Sequence, residues 1–255
     1  MSDNTEETLT SIQLPYRFSK PRESGLTVIT DDGIPLSSVR STLESFANYI
    51  DKVKLFAGTA FLDSQIAERI ELYRQFDIEP YFGGALFEKY YQQSNLDGYR
   101  TLLKKLQVEV VELMDIGINI PIERRLELIS QFAADFRVIG KIGGKDSQTI
   151  VSPMTWVRQM KSYLEAGCEF VLAAGTTGKA GLFRSNGEIR QGLVADIVAS
   201  VPEQKLIFDA PNRYSQGYFV KLLGPNANLS HVDPRNLLTL ESLRCGMLDE
   251  TLFIE

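Results

Sequence analysis

Residues 26–56 read LTVITDDGIPLSSVRSTLESFANYIDKVKLF, and this stretch decides the fold. It opens on a β-branched run, Leu26–Thr30, and closes on another run, Lys52–Phe56. Between them, Ser37–Tyr49 places Val39, Leu43, Phe46 and Ala47 on one helical stripe, and Asp31, Asp32 and Gly33 supply turn chemistry. Strand, helix and strand in that order form a βαβ unit, which needs parallel pairing and a right-handed crossover.

The alternation continues outward without interruption. Further strands are predicted at Glu79–Gly83 (EPYFG), Val110–Met114 (VVELM), Arg137–Ile142 (RVIGKI), Phe170–Ala174 (FVLAA), Leu206–Asp209 (LIFD) and Asn228–Val232 (NLSHV). Helical patterns fall at Phe61–Phe76, Phe87–Leu106, Ile122–Ala134, Met154–Ala166, Glu188–Val201, Tyr214–Leu223 and Leu238–Gly246. Gly98 predicts a break in the long third helix, and Ser152 before Pro153 predicts an N-cap. Eight near-regular units predict closure into a (β/α)8 TIM barrel. No GxGxxG follows the first strand to favour an open dinucleotide-binding sheet.

A chain of 255 residues, 44% hydrophobic and 24% charged, suits one such barrel. The expected division is a polar N-terminal leader over 1–24 and a single barrel domain over 25–255. The opening MSDNTEETLT has neither the basic nor the apolar region of a secretion signal, so it reads as the frayed leader of a cytoplasmic protein. No apolar run approaches the ~18–20 residues of a membrane span. A net charge of −6 gives no general attraction to nucleic acid or anionic membrane. Cys168 and Cys245 have no metal spacing and read as packed thiols. A homo-oligomer is expected.

Barrel enzymes carry their chemistry at the C-terminal strand ends. Read there, the chain offers Asp31, Lys54, Gly83, Gly84, Glu88, Glu112, Asp115, Lys141, Lys145, Asp209, Asn212 and Arg213. Lys54 alternates with Val53 and Leu55, and a lysine facing the barrel interior must be paired. The loop GTTGKAG, Gly175–Gly181, brings Gly175, Thr176, Thr177, Gly178 and Lys179 into one phosphate-binding candidate, although it is not a P-loop. His231, the only histidine, is either an acid–base group or a structural one. No His/Cys cluster supports zinc, and carboxylates alone suit Mg²⁺ better. Each residue also has a plainer reading: a structural ion pair, a tight turn, or a loop glycine.

Seven segments at these positions are similar, in order, to phosphosulfolactate synthases: GLTVITDDG, VKLFAGTA, YFGGALFE, VELMD, GLFRSNGEI, LIFDAP and NLLTLESLRCGMLDET. The resemblance implies a (β/α)8 barrel that adds sulfite to phosphoenolpyruvate in a Mg²⁺-dependent reaction. The family also includes a plant protein linked to heat stress, so membership alone does not fix the activity. Strand-end position and the resemblance together make Lys54, Glu112, Lys141 and Asp209 the catalytic candidates, Lys54 and Glu112 being the two that match family positions. Gly83, Gly84, Lys145, the Gly175–Lys179 loop and Arg213 are the substrate-binding candidates. Asp31, Glu112 and Asp115 are the candidate Mg²⁺ ligands.

The chain departs from the family pattern at three places. Lys141 stands where that pattern has a glutamate, AAGTTGKAG replaces an acidic, arginine-containing segment, and Asp209 replaces another glutamate. These departures leave three readings. The chain is a lyase of the family type, an enzyme of the same scaffold acting on a different small anion with or without metal, or a non-catalytic binding or stress-associated barrel.

Overall fold

The computed structural model describes residues 12–114, 117–143, 151–176 and 181–254. Eight strands form the sheet: β1 Thr27–Asp31, β2 Lys52–Leu55, β3 Glu79–Phe82, β4 Val110–Leu113, β5 Arg137–Ile142, β6 Phe170–Ala173, β7 Leu206–Asp209 and β8 Leu229–Val232. The helices between and after them are α1 Leu36–Phe46, α2 Ala57–Leu62, α3 Ile66–Arg74, α4 Ala85–Gln92, α5 Leu96–Lys105, α6 Ile122–Ala133, α7 Pro153–Glu165, α8 Gln191–Ser200, α9 Arg213–Leu223 and α10 Leu237–Arg244.

The hydrogen-bonded order is β3-β2-β1-β8-β7-β6-β5-β4, and every paired ladder is parallel. β3 and β4 also adjoin, without a ladder, so the sheet curls into a nearly closed (β/α)8 barrel. Such strands are covered on both faces, which is why β2, β4, β6 and β7 are buried at every position. One face fills the barrel and the other packs on the helices. Phe87, Tyr99 and Phe132 illustrate the outer layer, with ring centroids about 6 Å apart across α4, α5 and α6.

Helix boundaries reflect local side-chain chemistry. The pattern over Phe61–Phe76 divides into α2 and α3 because Asp63 leaves the first helix and braces the second. Its carboxylate accepts the Gln65 N–H at 2.8 Å and Arg69 Nε at 2.6 Å. The expected break in Phe87–Leu106 falls at Ser94 and Asn95, not at Gly98. Asn95 caps α5 by accepting the Gly98 N–H at 3.1 Å, and a Cβ on Gly98 would lie 2.5 Å from that amide oxygen. The glycine admits the cap. Ser152 caps α7 as expected, accepting the Thr155 N–H at 3.2 Å.

The segment expected to be frayed is anchored over its described part. Arg17 pairs with Glu241 at 3.1 Å and Arg22 with Asp51 at 2.9 Å, while Lys20 donates to the carbonyls of Ala47 and Phe76. Asp51 also accepts the Thr27 N–H at 2.8 Å, so this strap lies across the N-terminal ends of the strands, opposite the candidate site. Cys168 is buried and Cys245 half-buried, both as free thiols. Among the described residues no helix is long and apolar enough to cross a membrane.

Candidate active site

Register carries side chains to a common face, and in the barrel it gathers one polar layer near the C-terminal strand ends. Thr30 of β1 is level with Lys54 of β2, which is level with Tyr81 of β3. Asp209 of β7 is level with Ser230 of β8. Glu112 of β4 and Lys141 of β5 complete the layer. Lys54 Nζ lies 3.7 Å from Glu112 Oε2, and Lys141 Nζ donates to Asp209 Oδ2 at 3.2 Å. Exposures of 6, 1, 8 and 2% for Lys54, Glu112, Lys141 and Asp209 mean that four charges share one nearly dry volume.

The two pairs are coupled. The ammonium groups of Lys54 and Lys141 act on each other across the layer. Burial depresses the pKa of Lys54, and the adjacent Lys141 depresses it further, with Glu112 opposing both. Burial also works against charge on Lys141, but Asp209 and Glu112 outweigh it and hold that ammonium above its ordinary range. Burial would raise the Asp209 pKa, yet Lys141 and Lys54 drive it well below the carboxylate range. Lys141 is therefore the firmly held cation of the layer, and Lys54 holds its proton less tightly than a free lysine does.

Backbone amides finish both carboxylates. The Gly84 N–H donates to Glu112 Oε1 at 3.0 Å, and the Gly175 N–H donates to Asp209 Oδ2 at 2.8 Å. A Cβ at Gly84 would collide with Met114 Cγ, and one at Gly175 would lie 2.8 Å from Asp209 Cβ, so each close approach needs glycine. Glu112 Oε2 and Asp209 Oδ1 are buried and accept no hydrogen bond among the described residues. They are the acceptors left for a ligand.

Of the sequence candidates, Lys54, Glu112, Lys141, Asp209, Gly84 and Gly175 meet in this cluster. Gly83 adjoins it, with its Cβ position 3.7 Å from Lys54 Cδ. Asp31 does not join it. It faces α3 instead, accepting Arg69 Nη1 at 2.8 Å, the Tyr73 hydroxyl at 2.9 Å and the Gly33 N–H at 2.9 Å. This network engages both oxygens and turns Asp31 toward α3, away from the other expected metal ligand, Glu112. Arg213 also stands apart, because its guanidinium is held by Glu250 at 2.7 and 2.8 Å on the surface. Thr176 lies in the loop after β6, where its carbonyl accepts the Phe183 N–H at 3.2 Å. Asp115, Lys145, Thr177, Gly178 and Lys179 lie outside the described residues.

Thr30, Tyr81 and Ser230 were not among the sequence candidates. Shared strand parity with Lys54 is the signal that finds Thr30 and Tyr81. A cavity of about 450 Å³ opens beside the layer, lined by Thr30, Asp32, Ile34, Pro211, His231 and Arg235 among others. No group of three metal-ligating side chains occurs among the described residues. Mg²⁺, however, is commonly held by one or two carboxylates with water and substrate oxygens. The uncommitted Glu112 Oε2 fits that chemistry.

A family model described as (2R)-phospho-3-sulfolactate synthase (ComA) matches residues 15–250. The chain belongs to the phosphosulfolactate synthase family. It is 32% identical over 248 residues to the phosphosulfolactate synthase of Bacillus subtilis (strain 168), covering 96% of this chain and 98% of that one. Identity to the phosphosulfolactate synthase of Methanothermobacter thermautotrophicus is 31% over 246 residues, covering 93% and 95%. Protein HEAT-STRESS-ASSOCIATED 32 of Arabidopsis thaliana is similar at 21% over 259 residues, covering 89% and 88%. Among solved structures, 3-hexulose-6-phosphate synthase from Salmonella typhimurium superposes with a TM-score of 0.56 at 10% identity, covering 88% of this chain and all of that one. That likeness concerns the barrel alone. The family is one of lyases, and the polar layer lies where barrel enzymes place their chemistry.

Proposed function

We propose that this site adds a nucleophile to an unsaturated phosphorylated carboxylic acid of the phosphoenolpyruvate type, with sulfite as the nucleophile. The observation that carries the proposal is the buried layer of two lysines and two carboxylates. Forming a bond to one carbon of the double bond places negative charge on the neighbouring carbon and its carboxylate. A preorganised cation in a water-poor site stabilises such charge strongly. Lys141, kept charged by Asp209, is that cation. Lys54 sits beside it to hold an anionic group and to redistribute protons with Glu112.

The layer's own charge sums to zero when all four groups are ionised, so a multiply charged substrate needs further positive charge. Lys145 and Lys179, which follow β5 and β6 in the sequence, are the chain's own source. Mg²⁺ held through Glu112 would supply Lewis-acid stabilisation of a developing enolate. The Lys141–Asp209 pair favours a second reading, in which a different small anion is bound without metal, because it already neutralises one of the two carboxylates.

Calorimetry with phosphoenolpyruvate, with and without Mg²⁺, followed by sulfite and mass spectrometry, separates these readings. Phosphosulfolactate formation is expected. Binding that needs no Mg²⁺ and yields no product would favour the second reading. No binding under either condition would overturn the addition reading.

A further inference from the structure

Four non-glycine residues have a positive φ among the described residues: Asp77, Ser94, Gln107 and His231. The first three come just after α3, α4 and α5, and their N–H groups donate to the Arg74, Tyr91 and Lys104 carbonyls. Left-handed residues routinely end helices in this way. His231 has no such reason. It lies inside β8 at φ 62, a conformation that a side chain disfavours.

The strand carries an extra residue at the same place. Thr27 and Ile29 of β1 are level with Leu229 and Val232 of β8, so two steps on one strand match three on the other. Bulges of this kind are enriched beside active sites, where they re-aim a side chain. Ser230 and Val232 are fully buried, while His231 between them is exposed at the mouth of the barrel. Its ring borders the 450 Å³ cavity together with Thr30 and Asp32. Partial burial of the ring lowers its pKa, and among the layer's charges Asp209 of β7 and Glu112 of β4 oppose that shift while Lys54 of β2 and Lys141 of β5 add to it. The nearest charges on its own side, Asp233 and Arg235, pair with each other at 2.6 Å.

We infer that His231 is a catalytic residue, its imidazole touching the substrate in the mouth and delivering the proton that the addition consumes. This rests on the addition reading above and deepens it. The nucleophile's electron pair forms a bond to one carbon, and the π pair moves to the neighbouring carbon. The imidazolium N–H bond breaks, its proton goes to that carbon, and the neutral ring is reprotonated from solvent at the mouth. Lys141 is unsuited to this step because Asp209 holds its proton.

The chain has one histidine, so the untagged full-length protein shows a single set of imidazole NMR signals without assignment. Those signals are expected to shift when phosphoenolpyruvate saturates the protein. His231→Asn should lower turnover about 100-fold or more while phosphoenolpyruvate still binds. His231→Gly removes the backbone strain, so its Tm should match or exceed the parent's while turnover falls, and added imidazole should restore part of the rate. Ring signals unmoved by a bound substrate, or turnover within threefold of the parent in His231→Asn, would overturn the inference alone. A parent protein that binds neither phosphoenolpyruvate nor sulfite would overturn the addition reading, and this inference with it.

Discussion

Lys141→Met is expected to destabilise the barrel by about 3–5 kcal/mol, because it leaves the Asp209 carboxylate buried with its charge unanswered. Asp209 is 2% exposed and would keep only the Gly175 N–H as a donor to Oδ2. The double replacement Lys141→Met with Asp209→Leu should recover most of that loss, since an apolar pair of similar volume often matches a buried ion pair. It should recover no turnover. Urea denaturation of the three proteins, alongside product formation, separates the stabilising role of the pair from its chemical one. Equal stability of the single variant and the parent would show that the pair is hydrated and contributes little.

The same pair sets the acid limit of the fold. Lys141 and Lys54 hold the folded-state pKa of Asp209 below its unfolded value. Its contribution is therefore complete above the unfolded value and is lost as pH falls through that value toward the folded one. The parent should lose stability below about pH 4, near the ordinary aspartate pKa. Urea midpoints at pH 7 and pH 3 should fall less in the double variant, which lacks the pair, than in the parent.

Glu112→Gln is the second large effect, and it acts on function. Glutamine retains a side-chain oxygen for the Gly84 N–H, which Glu112 accepts at 3.0 Å. It removes the charge that keeps Lys54 protonated against burial and Lys141. A buried lysine without its carboxylate partner can shed its proton rather than remain an unpaired cation, so stability should fall less than in Lys141→Met. Turnover should fall by about 10²–10⁴-fold if Glu112 and Lys54 move or hold the proton. A variant with parental turnover would remove Glu112 from the mechanism.

The fold was readable because parallel strands buried on both faces leave dense apolar runs between amphipathic helices. All eight predicted strands agree with the structure to within one residue at each end. The site was readable where a charge lay inside such a run, as at Lys54, Glu112 and Lys141. It was not readable where register decides which way a strand end faces. Asp31 and Thr30 are adjacent in sequence, yet Thr30 borders the mouth cavity and Asp31 pairs with α3. The surroundings of Arg213 were not readable for another reason: its partner Glu250 is 37 positions away in the sequence. The turn of His231 depends on an extra residue in β8 relative to β1, and no pattern within either strand announces it.

β3 and β4 meet without a ladder, and the join is spanned by acids instead. Glu112 of β4 accepts the N–H of Gly84 after β3, and Glu88 of α4 accepts the N–H of Gly117 beyond β4 at 2.7 Å. Ladder bonds between backbones need no particular side chain, but a carboxylate clasp does. The cylinder is thus laced by backbone stitches on seven sides and buttoned on the eighth by two side chains. A substitution at Glu112 therefore reaches the one join in the wall that no described backbone ladder holds.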